Sequence, residues 1–529
     1  MKRVFLIVTI FLHVVVYSQV TYQNPVIPGF YSDPSVCRVG DDYYMVHSSF
    51  GYFPGVPIFH SKNLVDWQQI GYALTRKEQL PLEKAGVTMG IFAPTIRYHD
   101  GLFYMITTNI TSKGTFYVTA KDPAGEWSNP IWTEVQGIDP SLFFDEDGKV
   151  YVTSTVNWGP NPNKGIHLSE IDNKTGKLLT TPKNIWTGTG ARFAEGPHLY
   201  KKDGWYYLMI AEGGTEYGHK VAIARSKYID GPYLSNPANP ILTHINANAE
   251  TSPIQGVGHG DLVQTQDSSW FMIAHAFRHL NSHQILGRET FLAPVRWDRN
   301  AWPVVNGDGT VSFKMEASSL PGPVLQKTSS QKEDFNEKKL GFEWNYLNNP
   351  NEANYSLTAR KGYLRLMGSD SSLHQLPDVT FVGRRQQHFD FGATTQLDFN
   401  PKKPNEEAGI TLFKDISYHY DLSVKNIDGK RVLVLTYNLG RIHHTEKEVL
   451  LQDGPIQLKI TGTEEYYAFE YAQGDHSFQK IGGVDTRFLS SETAGGFTGV
   501  YIGLYATGNG QKSQSPADFD WFTYGPKQL

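Results

Sequence analysis

A chain of 529 residues exceeds what one hydrophobic core usually organises, so two domains are expected. A formal net charge of −5, with no Lys/Arg run longer than a pair, argues against nucleic acid as a partner, which needs a basic stripe. The single cysteine, Cys37, excludes an intramolecular disulfide; its neighbours Val36 and Val39 read as a buried strand.

Lys2 and Arg3 precede an apolar run from Val4 to about Val16, and Ser18 offers a small residue for cleavage before Gln19. Residues 1–18 are therefore expected to be a signal peptide, too short for a spanning helix. No cysteine lies at the cleavage site, so a lipid anchor is not expected, and the expected location is periplasmic or extracellular. No later apolar run is long enough for membrane insertion.

From there a signature recurs five times: a turn pair, then aromatic and β-branched residues. The copies are Asp41-Asp42-Tyr43-Tyr44, Asp100-Gly101-Leu102-Phe103-Tyr104, Asp147-Gly148-Lys149-Val150-Tyr151, Asp203-Gly204-Trp205-Tyr206-Tyr207 and Ser268-Ser269-Trp270-Phe271. Asp-Gly between apolar runs is a hairpin signal. Further strands follow each hairpin, and no stretch shows a long helical period. One four-stranded unit per repeat predicts a five-bladed β-propeller over residues 19–320. The polar stretch 321–333 reads as a linker. Short alternating strands then continue to Leu529, as in Gly362-Tyr363-Leu364-Arg365-Leu366. Residues 334–529 are expected to form a jelly-roll β-sandwich, which makes the chain all-β.

Just upstream of the hairpins lie Ser32-Asp33-Pro34-Ser35, Phe92-Ala93-Pro94-Thr95, Ile138-Asp139-Pro140-Ser141, Ala194-Glu195-Gly196-Pro197 and Gly258-His259-Gly260-Asp261. Counted back 11 or 12 positions from the aligned aromatic residue, Asp33, Phe92, Asp139, Glu195 and His259 share one place in the repeat. That place is the start of the innermost strand, so Asp33, Asp139, Glu195 and His259 should converge on the propeller axis. A lone Asp-Pro is ordinary turn chemistry. Three acids at one repeat phase suggest acid/base work with pKa values pushed apart.

On these residues the chain resembles the family 43 glycoside hydrolases, specifically β-xylosidase and α-L-arabinofuranosidase members with a C-terminal sandwich. The clearest stretches are Asn24-Pro25-Val26-Ile27-Pro28-Gly29-Phe30-Tyr31-Ser32-Asp33, Tyr52-Phe53-Pro54-Gly55, His60-Ser61-Lys62-Asn63-Leu64, Glu195-Gly196-Pro197, Gly258-His259-Gly260 and Leu286-Gly287-Arg288-Glu289. The resemblance implies an exo-acting, inverting hydrolase that releases terminal pentose, β-D-xylose or α-L-arabinofuranose, from hemicellulose oligosaccharides. It implies Asp33 as general base, Glu195 as general acid and Asp139 as the residue that tunes Glu195 and orients the sugar. Arg288 is implied beside the base, with Phe50 and Phe92 as pocket walls, Thr215 at the site and Phe497 on a closing sandwich loop. His259 resembles the family's central histidine, where some members hold calcium or water. The chemistry needs no organic cofactor, and a bound calcium ion would be structural. Ile138 before Asp139-Pro140 and Gly196 after Glu195 weigh against a fructan- or sucrose-cleaving enzyme, and an endo-arabinanase often lacks a walling sandwich. A non-catalytic sugar-binding propeller is the alternative of another class. A xylan 1,4-β-xylosidase-like activity is expected first, with an α-L-arabinofuranosidase that removes side chains of arabinoxylan or xyloglucan as the alternative.

Overall fold

The computed structural model describes residues 20–156, 164–247, 252–318, 320–322, 331–474 and 476–527. The expected signal peptide, and most of the stretch expected as a linker, lie outside them. Among the described residues the only α-helix is the four-residue turn Ser491–Ala494, and no helix is long and apolar enough to cross a membrane.

Five antiparallel sheets follow one another along the first part of the chain. The first blade orders Ser35–Val39, Asp42–Val46, Gly55–Ser61 and Gln68–Leu74 from axis to rim. The fifth orders Ile254–Gln264, Trp270–Arg278, Glu289–Trp297 and Pro303–Val305 in the same way. A four-stranded blade is apolar on both faces, so each buries its sides against its neighbours. Val46, Ile58, Met105 and Phe116 fill the seam between the first and second blades. Ile106, Leu142 and Val152 fill the next, and Ile166, Leu199 and Leu208 the third. One cluster joins Tyr207 and Ile223 to Phe271 and Ile273 and then to Tyr43 and Met45, closing the ring.

The C-terminal domain packs two large sheets around one core that includes Leu366, Phe391, Leu422, Leu458 and Ile502. Strict alternation drives this. Phe391–Asp398 and Ile456–Gly462 each bury every second residue, as a sheet with one face on the core must.

The last strand of one sandwich sheet belongs to the propeller. Tyr52–Phe53, within the first blade's sequence, pairs with Asn345–Leu347 through Tyr346↔Phe53 and Leu347↔Tyr52. The Tyr52 ring stacks on Tyr501 at 4.0 Å and 9°. Asn348 and Asn349 extend the join: their side-chain amides donate to the carbonyl oxygens of Leu82 at 2.9 Å and Leu80 at 2.8 Å. Because a sheet crosses the boundary, the two domains should unfold together. Replacing the fully buried Tyr501 by Ala should destabilise the whole chain by about 3–5 kcal/mol. In a thermal melt this appears as one shifted transition; a second, separate transition would show that the domains melt independently.

Candidate active site

The innermost strand of each blade carries one residue at a common register: Ser35, Thr95, Ser141, His198 and Asp261, paired with Val46, Ile106, Thr153, Met209 and Ile273. The residue before each is Pro34, Pro94, Pro140, Pro197 or Gly260. The ladder skips here in the third and fourth blades, between Ile138 and Ser141 and between Glu195 and His198. A bulge leaves this position unpaired, so a proline without an N–H fits it. Two residues before the common register stand Asp33, Asp139, Gly196 and His259, all with left-handed backbone at φ of 54°, 53°, 55° and 46°. That conformation is costly for non-glycine residues and re-aims their side chains out of the strand's alternation.

This register corrects the expected phase. Gly196, not Glu195, is the counterpart of Asp33, Asp139 and His259, and Ala93, not Phe92, is that of the second blade. Glu195 shares its place with Phe92 and Ile138, one residue upstream. Hairpin length is the reason. The paired positions Phe143↔Tyr151 and Val263↔Phe271 lie one residue further apart in sequence than Cys37↔Tyr44, Arg97↔Tyr104 and Tyr200↔Tyr207. Counting back from the aromatic residue therefore slips by one in the second and fourth blades. Gly196 is required at its position twice over. Its φ is left-handed, and a Cβ there would lie 2.9 Å from the His259 ring.

Despite the slip, one cavity of about 250 Å³ gathers Asp33, Phe50, Phe92, Asp139, Glu195, Thr215, His259, Arg288 and Phe497. Asp33 is 5% exposed. It accepts from Arg288 Nη1 at 2.6 Å, from Ser48 Oγ at 2.5 Å and from Ser32 Oγ at 3.1 Å. Burial alone would raise its pKa; the Arg288 guanidinium, with the His275 and His259 rings beside it, holds the carboxyl well below the usual range. Among the described residues Glu195 has no such partner. Burial first, and then the charge of Asp33, push it up to about 7. Asp139 is also raised, by burial and by the charges of Glu195 and Asp33. The Gly196 N–H donates to Asp139 Oδ2 at 3.1 Å and offsets part of that rise. His259 and His275 are themselves lowered by burial, His275 to about 3.

The walls are aromatic. The Phe50 ring lies 5.5 Å from Phe92 and 6.0 Å from Phe497, with Phe92 and Phe497 6.1 Å apart. The Arg288 guanidinium lies 5.9 Å from the Phe50 ring and 5.8 Å from that of Phe497. Phe497 comes from the sandwich, so the pocket is built by both domains. Sequence reasoning missed Phe193, Ile138 and Glu216, which also line it. Phe193 stands two residues before Glu195 with φ of 57° and half-exposed; an aromatic residue so close to an acid was the available signal. Arg192 pairs with Glu216 at the rim.

The calcium expectation at His259 finds little support in the donor set. Calcium takes six to eight oxygen ligands, whereas His259 has His219 and His275 near it and an Asp33 carboxylate already bound to Arg288. Among the described residues no group of three or more His, Cys, Asp or Glu side chains is placed to hold a metal. These residues do not fit a calcium cage.

Two family models match the chain: glycosyl hydrolases family 43 over residues 22–303 and the beta xylosidase C-terminal concanavalin A-like domain over 332–525. The chain belongs to glycosyl hydrolase family 43. It is 44% identical over 513 residues to a non-reducing end alpha-L-arabinofuranosidase of Bacteroides ovatus, covering 96% of this chain and 95% of that one. It is 40% identical over 519 residues to a xylosidase/arabinosidase of Butyrivibrio fibrisolvens, covering 94% and 98%. The solved structure of Bacteroides ovatus xyloglucan PUL GH43B matches with a TM-score of 0.91 at 43% identity, over 95% of this chain and 99% of that one.

The family 43 pocket carries a stability penalty that can be read without substrate. Glu195 keeps its proton in the folded chain up to about pH 7 against an ordinary value of 4.5. Between those values the folded chain binds more protons than the unfolded one, so this group's contribution to stability falls as pH rises and is lowest above 7. Glu195→Gln has no proton to lose. Its melting temperature should gain on the parent's between pH 5 and pH 8; an unchanged difference would mean Glu195 is not held protonated.

Proposed function

We propose that this family 43 protein is an exo-acting, inverting glycoside hydrolase that releases terminal pentose from hemicellulose oligosaccharides. One observation carries the proposal: two carboxyls in one cavity are pushed in opposite directions, Asp33 down under Arg288 and Glu195 up to about 7 with no ion-pair partner among the described residues. Inverting hydrolysis needs that division, one carboxylate to activate water and one acid to protonate the leaving oxygen. Asp33 is the base, and Glu195 is the acid. Asp139 shares the cavity with Glu195, interacts with it by charge, and is the residue assigned to tune the acid and orient the sugar. Arg288 fixes the Asp33 carboxylate and presents its guanidinium to the pocket. The phenylalanine walls supply flat apolar faces for the ring, while Thr215 adds a hydroxyl at the rim. A cavity of this volume closed on one side by a second domain favours chain ends over mid-chain cleavage. The apolar run Val4–Val16 makes export to the periplasm or beyond part of the same proposal.

Both β-D-xylose and α-L-arabinofuranose fit the proposal. The arabinofuranosidase name of the 44% identical relative favours the second, and the Butyrivibrio xylosidase/arabinosidase favours acceptance of both. Parallel rates on p-nitrophenyl β-D-xylopyranoside and p-nitrophenyl α-L-arabinofuranoside decide, with Asp33→Asn expected to lose activity on each by about a thousandfold or more. Activity on neither sugar would favour the sugar-binding alternative.

The reaction should release the pentose with its anomeric configuration inverted, seen by proton NMR before mutarotation. Retention would exclude Asp33 as a general base. The rate should fall as pH rises through about 7, where Glu195 loses its proton. In Glu195→Gln, the residual rate on an activated aryl pentoside should lose that limb, whereas a substrate with a poor leaving group should hardly react. Equal rates for parent and variant on the poor leaving group would exclude Glu195 as the acid.

A further inference from the structure

Phe497 lies on the segment that joins the short helix Ser491–Ala494 to the strand Tyr501–Thr507. Its own packing is light. It is 37% exposed, and its nearest aromatic neighbours stand at ring distances of 6.0 and 6.1 Å, towards the far end of the useful range. The seat of this wall must therefore be set by its backbone. The propeller grips the two ends: Ser491 N–H donates to the Gln284 carbonyl at 3.1 Å and Val500 N–H to the Ile285 carbonyl at 3.0 Å. Between them Gly495 and Gly496 have φ of 74° and 78° and bring no side chain to hold the segment.

On the sandwich side, one buried side chain reaches this stretch. Lys414, on the strand Glu407–Asp415, is 1% exposed. Its Nζ donates to Ser491 Oγ at 2.9 Å and to the carbonyl oxygen of Thr498, the residue after Phe497. Burial lowers its pKa to about 8, although Asp415 and Glu492 favour the charge. Burying an ammonium against a hydroxyl and a carbonyl is unfavourable unless its hydrogen bonds are used. An apolar side chain of similar length would fill the space without that penalty. What the lysine adds is a pair of donors aimed at both sides of the Phe497 turn. The helix itself is capped locally, with the Ser490 side chain accepting from Thr493 N, so Lys414 is not needed to form it.

We propose that Lys414 is a positioning residue that seats Phe497, the sandwich's contribution to the sugar pocket, by holding the Thr498 carbonyl and the Ser491 hydroxyl. The proposal rests on the reading of that pocket as the sugar site. It assigns the sandwich domain a part in substrate fit through one buried tether.

The test is a double-mutant cycle of Lys414→Met and Phe497→Ala on an aryl pentoside that the parent cleaves. Each single change should lower kcat/KM by about tenfold, chiefly through KM, and the double variant should be no worse than Phe497→Ala alone. Multiplied effects would overturn the proposal, because Lys414 would then act otherwise than through Phe497. Hydrogen exchange provides a readout independent of activity: Lys414→Met should speed exchange across residues 491–499 and leave the rest of the sandwich as in the parent. Unchanged exchange there overturns the proposal. If Lys414→Met does not fold, Lys414→Gln, too short to reach both acceptors, takes its place in both measurements. A parent that cleaves no pentoside would refute the sugar-site reading, and the exchange experiment would still decide whether Lys414 seats Phe497.

Discussion

The site depends on one backbone constraint, a left-handed residue placed two positions before the innermost strand locks into register. It occurs in four blades, at Asp33, Asp139, Gly196 and His259. In an uninterrupted strand, side chains alternate between the two faces of a blade and none looks along the axis. The bulge turns these residues out of that alternation, and the proline or glycine that follows each of them removes the N–H or the bulk that would resist it. Strain of this kind persists only where the surroundings over-determine it. Here the ladders on either side do so, with Ser35, Ser141, His198 and Asp261 fixed by their partners. Ser35 Oγ further donates to Asp261 at 2.7 Å and Arg97 pairs with the same carboxylate at 2.9 Å, which ties the first, second and fifth blades together beneath the pocket.

Above that ring, the walls depend on the second domain. Arg288 and Phe497 face the same cavity from different domains, and the chain just before Arg288 is stitched to the chain on either side of Phe497. Gln284 and Ile285 accept from Ser491 and Val500, and a Cβ on Gly287 would lie 2.8 Å from the Gly499 nitrogen. A sheet that ends in Tyr52–Phe53 locks the other side of the same boundary. The cation that holds Asp33 ionised and the ring that walls the pocket are thus set by one interface. A shift of the sandwich would disturb charge and shape at once.

Much of this was legible in the chain itself. The five hairpin signatures predicted five blades because each carries its own turn and its own aromatic strand, and the acids stood out because they recurred at nearly one phase. The phase of Glu195 and Phe92 was misread because aromatic residues mark the second strand, and hairpin length varies between them and the axis. The prolines Pro34, Pro94, Pro140 and Pro197 mark the bulge directly and give the correct register. Tyr52–Phe53 could not be recognised as a sandwich strand, since two residues carry no periodicity and their partner lies almost three hundred positions away. Phe193 escaped because its place in the pocket comes from a left-handed turn, and its nearness in sequence to Glu195 was the one signal of it. Residues that act through long-range contact, such as Lys414, look like any other strand lysine until their burial is known.

Two carboxyls of one cavity, Asp33 and Glu195, are pushed in opposite directions. Desolvation raises both Asp33 and Glu195, so burial cannot distinguish them. Position relative to Arg288 does. At 2.6 Å the guanidinium outweighs burial at Asp33, while at Glu195 its pull is weaker than the push of the Asp33 carboxylate. Arg192 also bears on Glu195, but Glu216, its partner at the rim, acts in the opposite sense. A free cation at the position of Arg192 would stabilise the folded chain by ionising Glu195, and would thereby remove the proton that the proposed mechanism assigns to it. The arrangement is therefore less stable than the same side chains permit, as expected where a pKa is held for chemistry rather than for folding.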